Sequence, residues 1–262
     1  MKLALFGATG RMGLSIVRLA EAAGDIRIVG AIAAATDRAL GRDIGELAGV
    51  GPLGVEVSPD LSSGLLGADV VIDFSVASAV RPLFVTAAKQ GVAVVSGTTL
   101  LGAPELEALD QAAKVVPVVW APNMSRGVQV LAEVVKYALG RLGMEFDAEI
   151  VEVHHRRKVD SPSGTALRLA KAVAEVRPEA RLLSGRDGEV GARTRDEVGV
   201  LAVRGGDVIG DHTVHLMGDG ERLELTHRAT SRDLFARGAL AAARFTVGRA
   251  PGRYSIEDVL GG

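Results

Sequence analysis

The stretch Leu3-Ala-Leu-Phe-Gly-Ala-Thr-Gly-Arg-Met-Gly13 decides the reading of the fold. A short apolar run, enough for one buried strand, passes directly into a glycine-rich turn. Met12, Ile16, Leu19, Ala20 and Ala23 then recur on one face of a helix that ends near Gly24. A second apolar run over 26–33 follows at once. Strand, glycine turn, helix and strand in this order predict a βαβ unit, the setting in which such glycines bind a dinucleotide. They permit a tight turn and a close backbone approach to the pyrophosphate, which the helix N-terminus holds. Gly7, Ala8, Thr9, Gly10, Arg11 and Met12 are therefore candidate cofactor contacts. The acidic residue that ordinarily takes the adenosine ribose about 20 residues on is missing. The second strand ends instead in Ala33-Ala34-Ala35, with Thr36, Asp37 and Arg38 slightly downstream. Asp37 and Arg38 are the candidate readers of the ribose, and the choice between NAD and NADP stays open.

Outward from this unit the same grammar repeats. Residues 43–60 read as loop, with Gly and Pro at short intervals. A buried strand at 70–74, a helix at 78–90, a strand at 92–95, a helix at 105–113 and a strand at 115–120 follow. Alternating βα units predict a Rossmann-type, doubly wound parallel sheet with ligands at the carboxyl ends of its strands. Gly97-Thr98-Thr99 and Ala121-Pro122-Asn123-Met124 are two such ends, and their small and hydroxyl-bearing residues suit a nicotinamide neighbourhood.

The grammar changes after Ser125, which can cap a helix carrying Val128, Leu131, Val135, Ala138 and Leu142. Strands at 198–203, 208–217 and 223–228, separated by glycine turns, predict an open, mostly antiparallel sheet. A last long helix from Ser231-Arg232-Asp233 and a terminal strand over 254–260 return to the first domain. The chain is thus α/β, with a dinucleotide-binding domain over 1–124 completed by about 234–262. A second, α+β domain over 125–233 is left for substrate and oligomerisation.

The densest chemistry falls at the start of that second domain, in Glu149-Ile-Val-Glu-Val-His-His-Arg-Arg-Lys-Val-Asp-Ser-Pro-Ser-Gly-Thr-Ala166. Residues 148–153 alternate as a strand, and one more step sends His154 and His155 to opposite sides. Asp160-Ser161-Pro162-Ser163 then offers cap chemistry and a proline suited to a first helical turn. The first-turn amides of Gly164 and Thr165 would make an anion site at the helix start, with Lys158 and the imidazoles adding positive charge. Each residue alone reads as a strand–turn–helix corner with a solvated basic loop. Together, a proton-donating imidazole, a cation and an anion-binding helix start suit an acidic substrate that must gain a proton.

Composition excludes several rivals. With 30 basic and 32 acidic residues the formal charge is −2, so no general pull towards nucleic acid or membrane is expected. The absence of Cys removes disulfides, thiolate catalysis and Cys-ligated zinc, and fits a cytoplasmic home. No metal site is expected. The N-terminal apolar run is far too short for a signal peptide, and no segment approaches transmembrane length.

Taken in order, these stretches resemble the 4-hydroxy-tetrahydrodipicolinate reductase family, long called dihydrodipicolinate reductase, of the lysine pathway. The glycine turn, Gly97-Thr98-Thr99 and Ala121-Pro122-Asn123-Met124-Ser125 look like its cofactor segments. Glu152-Val-His-His-Arg-Arg-Lys-Val-Asp-Ser-Pro-Ser-Gly-Thr-Ala166 matches its signature, and Arg204-Gly-Gly-Asp-Val-Ile-Gly-Asp-His212 its later sheet. The resemblance implies hydride transfer from NADPH or NADH to a cyclic unsaturated dicarboxylate. It places His154 as general acid, Lys158 as second catalytic residue, and His155, Gly164 and Thr165 on the substrate. It also implies a homotetramer assembled through the second domain's sheet. Many members carry an acidic residue, often followed by Arg, where this chain has Ala34-Ala35, so cofactor preference does not carry over. Two cations, Arg11 and Arg38, against the carboxylate of Asp37 predict use of both cofactors with NADPH bound more tightly. Another two-domain dehydrogenase, or a module that senses NAD(P)H without catalysis, would share the glycine turn but leave the basic cluster without a purpose.

Overall fold

A computed structural model describes residues 1–261 as two compact units, one of residues 1–124 with 233–261 and one of Ser125–Arg232. The first opens with β1 (Lys2–Phe6), α1 (Arg11–Ala23) and β2 (Arg27–Ile32). It continues through α2 (Ile44–Ala48), β3 (Val57–Ser58), α3 (Leu61–Gly64) and β4 (Val70–Asp73). Then come α4 (Val80–Gln90), β5 (Ala93–Ser96), α5 (Ala103–Ala113) and β6 (Pro117–Trp120). The second unit holds α6 (Arg126–Leu142), β7 (Asp147–His154), α7 (Gly164–Val176) and β8 (Arg181–Leu183). β9 (Glu197–Arg204), β10 (Gly210–Gly218) and β11 (Glu221–Ala229) complete it. The chain then returns to the first unit as α8 (Asp233–Thr246), β12 (Gly252–Tyr254) and α9 (Ile256–Val259).

The first sheet is parallel throughout, in the order β12-β6-β5-β4-β1-β2-β3. Its strands are buried on both faces because successive side chains alternate between two cores. Leu3, Leu5, Val70, Ile72 and Val95 pack on the side of α1 and α8. Ala4, Val71, Val94 and Val118 pack on the side of α4 and α5. The order reverses between β1 and β4, and Gly7 sits at that switch point with φ +79°. A Cβ there would stand 2.6 Å from the Phe74 carbonyl oxygen after β4, so only glycine fits the turn.

Residues 43–60 are more ordered than a loop. Asp43 caps α2 through the amides of Gly45 and Glu46 and also accepts from the amides of Leu53, Gly54 and Val55. Those backbone donors, Leu53 first among them, hold its carboxyl at about 2. One carboxylate thereby folds a segment whose Gly and Pro content reads as irregular. The expected terminal strand at 254–260 is a three-residue strand followed by a turn of helix. Ser255 and Asp258 cap each other's backbone and turn the chain out of the sheet.

The second sheet runs β11-β10-β7-β9-β8, with β7 at its centre. β10 pairs antiparallel with β11, to which a tight hairpin joins it, and on its other side with β7. β9 pairs parallel with β7 and with β8: α7 carries the chain back over the sheet to β8, and residues 184–196 bring it back again before β9 begins. α6 and α7 cover one face through Leu131, Val135, Leu139, Ile150, Leu169 and Val173.

Candidate active site

In the first unit, the cofactor segments gather at the carboxyl ends of the parallel strands. The Gly7 and Ala8 amides both donate to the Ile32 carbonyl, which fixes the turn to the end of β2. No side chain caps α1, so its first-turn amides keep neither an intrahelical acceptor nor a capping one. Gly13 packs so tightly on the turn that a Cβ would lie 2.2 Å from the Ala8 carbonyl oxygen. A bare helix N-terminus behind a close-packed glycine turn fits the pyrophosphate of a dinucleotide. Beside it lies a cavity of about 230 Å³ lined by Thr9, Leu14, Asp37, Arg38, Ala39, Arg42 and Leu47.

Asp37 is turned back towards the glycine turn. It accepts from the Thr9 hydroxyl at 2.6 Å and from the Ala39 amide at 2.8 Å, and these bonds hold its carboxyl below the ordinary range. Arg38 lines the same cavity, and so does Arg42, which the sequence reading passed over. Of the other cofactor candidates, Thr99 and Pro122 are exposed and Asn123 is half-buried. Thr98 points inward, giving its hydroxyl to Asp73 at 2.8 Å, and Met124 and Ala8 lie in the core. These three can offer a ligand only main-chain groups. Asp73 itself is fully buried, and burial raises its pKa against the hydrogen bonds from Ser75, Ser96 and Thr98.

In the second unit, the strand runs one residue further than its apolar alternation suggests. β7 ends at His154, which therefore shares a face with Ile150 and Glu152, while His155 leaves on the other side. Glu152 is fully buried and His154 nearly so. His154 Nδ1 and Glu152 Oε2 are 2.5 Å apart. Arg204, at the end of β9, donates to both Glu152 oxygens at 2.8 Å, and the Ser163 amide donates to Oε1 at 3.0 Å. Burial works against the charge on Glu152, but the Arg204, His154 and Ser163 bonds outweigh it and hold the carboxyl below its usual value.

Ser163, not Pro162, opens α7: its hydroxyl accepts from the Ala166 amide, and Pro162 precedes the helix on a cis bond from Ser161. The same hydroxyl lies 3.0 Å from His212 Nε2 on β10. The His212 ring meets that of His154 edge to face, with centroids 5.1 Å apart. Burial and the neighbouring His154 push His212 down to about 4, so it is neutral at physiological pH. Gly164 and Thr165 follow as the first two helical residues, where amides lack intrahelical acceptors. Lys158 Nζ lies 2.8 Å from both oxygens of Asp160. Arg232 Nη2 donates to His155 Nε2 at 3.3 Å, and burial together with the Arg232 charge lowers the pKa of His155.

One corner of the second unit therefore holds His154, His155, Lys158, Gly164 and Thr165. Glu152, Ser163, Arg204, His212 and Arg232 belong to the same corner, and the sequence alone does not name them as site residues. Glu152 carried a readable signal, since an acidic residue two positions before a histidine shares its strand face. Arg204 and His212 come from strands some fifty residues away, a proximity that only the sheet order creates.

The family model for the dihydrodipicolinate reductase N-terminus matches residues 1–124, and that for its C-terminus matches residues 127–260. A 4-hydroxy-tetrahydrodipicolinate reductase from Methanopyrus kandleri is 49% identical, over 98% of this chain and 96% of its own. One from Anaeromyxobacter dehalogenans is 48% identical, over 99% and 97%. Among solved structures, a dipicolinate-bound dihydrodipicolinate reductase from Paenisporosarcina sp. TG-14 shares the fold, with a TM-score of 0.79 at 24% identity over 97% of each chain. With a matching family model over each half and relatives nearly half identical along almost its whole length, the chain belongs to the dihydrodipicolinate reductase family.

Proposed function

We propose that the chain reduces 4-hydroxy-tetrahydrodipicolinate to tetrahydrodipicolinate in lysine and diaminopimelate biosynthesis, using NADPH or NADH, with His154 as proton donor. The observation that carries this reading is the state of His154. Its Nδ1 is engaged by a buried carboxylate, and no described residue bonds its Nε2. An imidazole so held by Nδ1 has Nε2 as the edge from which it can deliver a proton.

A nicotinamide cofactor held by the first unit would supply the hydride. The substrate's hydroxyl leaves as water together with a proton from the adjacent ring carbon, and hydride addition to the unsaturated ring so formed needs one proton for the atom that gains electron density. His154 gives that proton. Lys158 exchanges its exposed partner Asp160 for negative charge on the substrate. The amides of Gly164 and Thr165, with the Thr165 hydroxyl, take one carboxylate, and His155, turned by Arg232, assists. The first unit holds the cofactor through residues 7–12, 97–99 and 121–124, with Asp37 and Arg38 at the ribose.

The reading extends to assembly and place. Val151, Val153, Leu201, Thr213, His215 and Met217, on β7, β9 and β10, remain partly exposed, and α6 and α7 pack on the opposite face. This supports a homotetramer joined through that sheet. No helix among the described residues is long and apolar enough to cross a membrane, and the Cys-free chain suits the cytoplasm. A sensing module or a dehydrogenase of other substrates would leave this buried cluster unused. The test is turnover: enzymatically generated substrate should drive oxidation of NADPH and NADH. Oxidation of neither cofactor would refute the reading.

A further inference from the structure

We propose that Glu152 is the positioning residue of the proton donor: it holds His154 by Nδ1 and so leaves Nε2 as the ring's one proton-exchanging edge, with Arg204 fixing the carboxylate in turn. This rests on the reading of His154 as the acid.

The argument begins with the number of bonds Glu152 makes. Oε1 accepts from Arg204 Nη2 and the Ser163 amide, and Oε2 accepts from Arg204 Nη1 and His154 Nδ1. Each oxygen thus meets two donors, the full capacity of a carboxylate. No lone pair is left over, so the group cannot turn towards another partner without losing a bond in a dry interior. A carboxylate that takes Nδ1 as donor requires a proton on Nδ1. The ring can therefore exchange a proton with substrate only through Nε2. It is an imidazolium before transfer and an Nδ1–H neutral ring afterwards, and Nδ1 keeps its bond throughout.

Three neighbours complete the arrangement. Arg204 matches the charge of Glu152, so the pair remains balanced after His154 has given up its proton; before transfer the imidazolium is the one additional charge. The ring of His212 packs edge to face on His154 and limits its rotation without adding charge. Gly210 lies against the other edge, where a Cβ would stand 2.9 Å from Nε2. The same carboxylate binds the Ser163 amide at the start of α7. Glu152 therefore couples the aim of the acid to the helix start proposed to hold the substrate carboxylate.

The test reads the tautomer directly. In protein carrying ring-¹⁵N histidine, long-range ¹H–¹⁵N correlation identifies which nitrogen of neutral His154 bears the proton, with His154→Gln supplying the assignment. The expected form is Nδ1–H. In Glu152→Gln the carboxamide can donate to Nδ1 and admit the Nε2–H form. kcat should then fall about 10²-fold, while the dissociation constant of pyridine-2,6-dicarboxylate stays within about twofold. Arg204 loses its counter-charge in that variant, so Glu152→Gln/Arg204→Gln is prepared beside it, and the spectrum of the unaltered protein needs no variant to fold. An Nε2–H ring in an enzyme that depends on His154, or full kcat in a folded Glu152→Gln protein, would overturn the proposal alone. Full kcat in His154→Gln with Nδ1–H observed would overturn the role assigned to His154, and the proposal with it.

Discussion

Gly210→Ala perturbs the proton donor without touching a group that bonds to it. A Cβ at this position would lie 2.9 Å from His154 Nε2 and 3.4 Å from both His154 Cδ2 and His212 Cε1. Ordinary contact begins near 3.4 Å, so the His154 ring must retreat by roughly half an ångström. A free side chain would swing aside at little cost. This ring is held at its far edge by the 2.5 Å contact to Glu152 and flanked by His212, so it must tilt and Nε2 must move. Displacements near this scale cost up to about 10²-fold when they misplace a reacting group. We expect kcat to fall about 10- to 10²-fold. Stability should change by no more than ~1 kcal/mol, since alanine suits a strand better than glycine. Steady-state oxidation of NADPH with thermal unfolding on the same preparations measures both. Unchanged kcat in a folded Gly210→Ala enzyme would mean that Nε2 is not the working edge or that the ring is not held, and the reasoning would fail.

Thr165→Val should raise KM for substrate about tenfold, the scale of one lost hydrogen bond, and leave cofactor affinity unchanged; equal binding of pyridine-2,6-dicarboxylate to variant and parent would misplace the substrate carboxylate. Both cofactors should serve, with NADPH the tighter, because Asp37 already accepts from Thr9 and Ala39 while Arg38 and Arg42 line the cavity beside it. KM values at two ionic strengths should show that preference shrinking as salt rises, and a clear preference for NADH at low salt would instead make Asp37 the governing group. Acid should weaken the fold through His212, whose folded pKa of about 4 lies below its unfolded value of 6.5. The unfolded chain then binds the extra proton, so stability is full above pH 6.5 and falls by roughly 3 kcal/mol as pH drops to 4. His155 and His227 add to the same trend. Urea unfolding across that range should show a flatter dependence for His212→Asn, and an unchanged slope would remove His212 from the account.

The parallel sheet was legible because its strands are short apolar runs and its turns carry glycine where φ or packing demands it, as at Gly7. The direction of β9 was not: residues 198–203 read as a strand either way, and only the two returns, through α7 to β8 and through residues 184–196 to β9, make the pairing with β7 parallel. Residues 43–60 were misread because Asp43 organises them with one side chain, a long-range effect that Gly and Pro spacing conceals. The terminal strand was cut short by the Ser255–Asp258 cap. At the site, the adjacency of His154, Lys158, Gly164 and Thr165 in sequence survives as adjacency in space. The Arg204–Glu152 pair could not be read, since it joins residues 52 positions apart. Thr98 shows a further limit: its strand-end hydroxyl reads as open to a ligand, but it donates to the buried Asp73, which leaves the main chain as the group Thr98 can offer.

The central claim is that His154 donates the proton, and the kcat of folded His154→Gln tests it most directly. Glutamine keeps a polar side chain of similar reach but cannot give up a proton near neutral pH. The account predicts a kcat lower by about 10²-fold or more, with pyridine-2,6-dicarboxylate and cofactor still bound. A folded His154→Gln enzyme that turns over at the parent rate would contradict it.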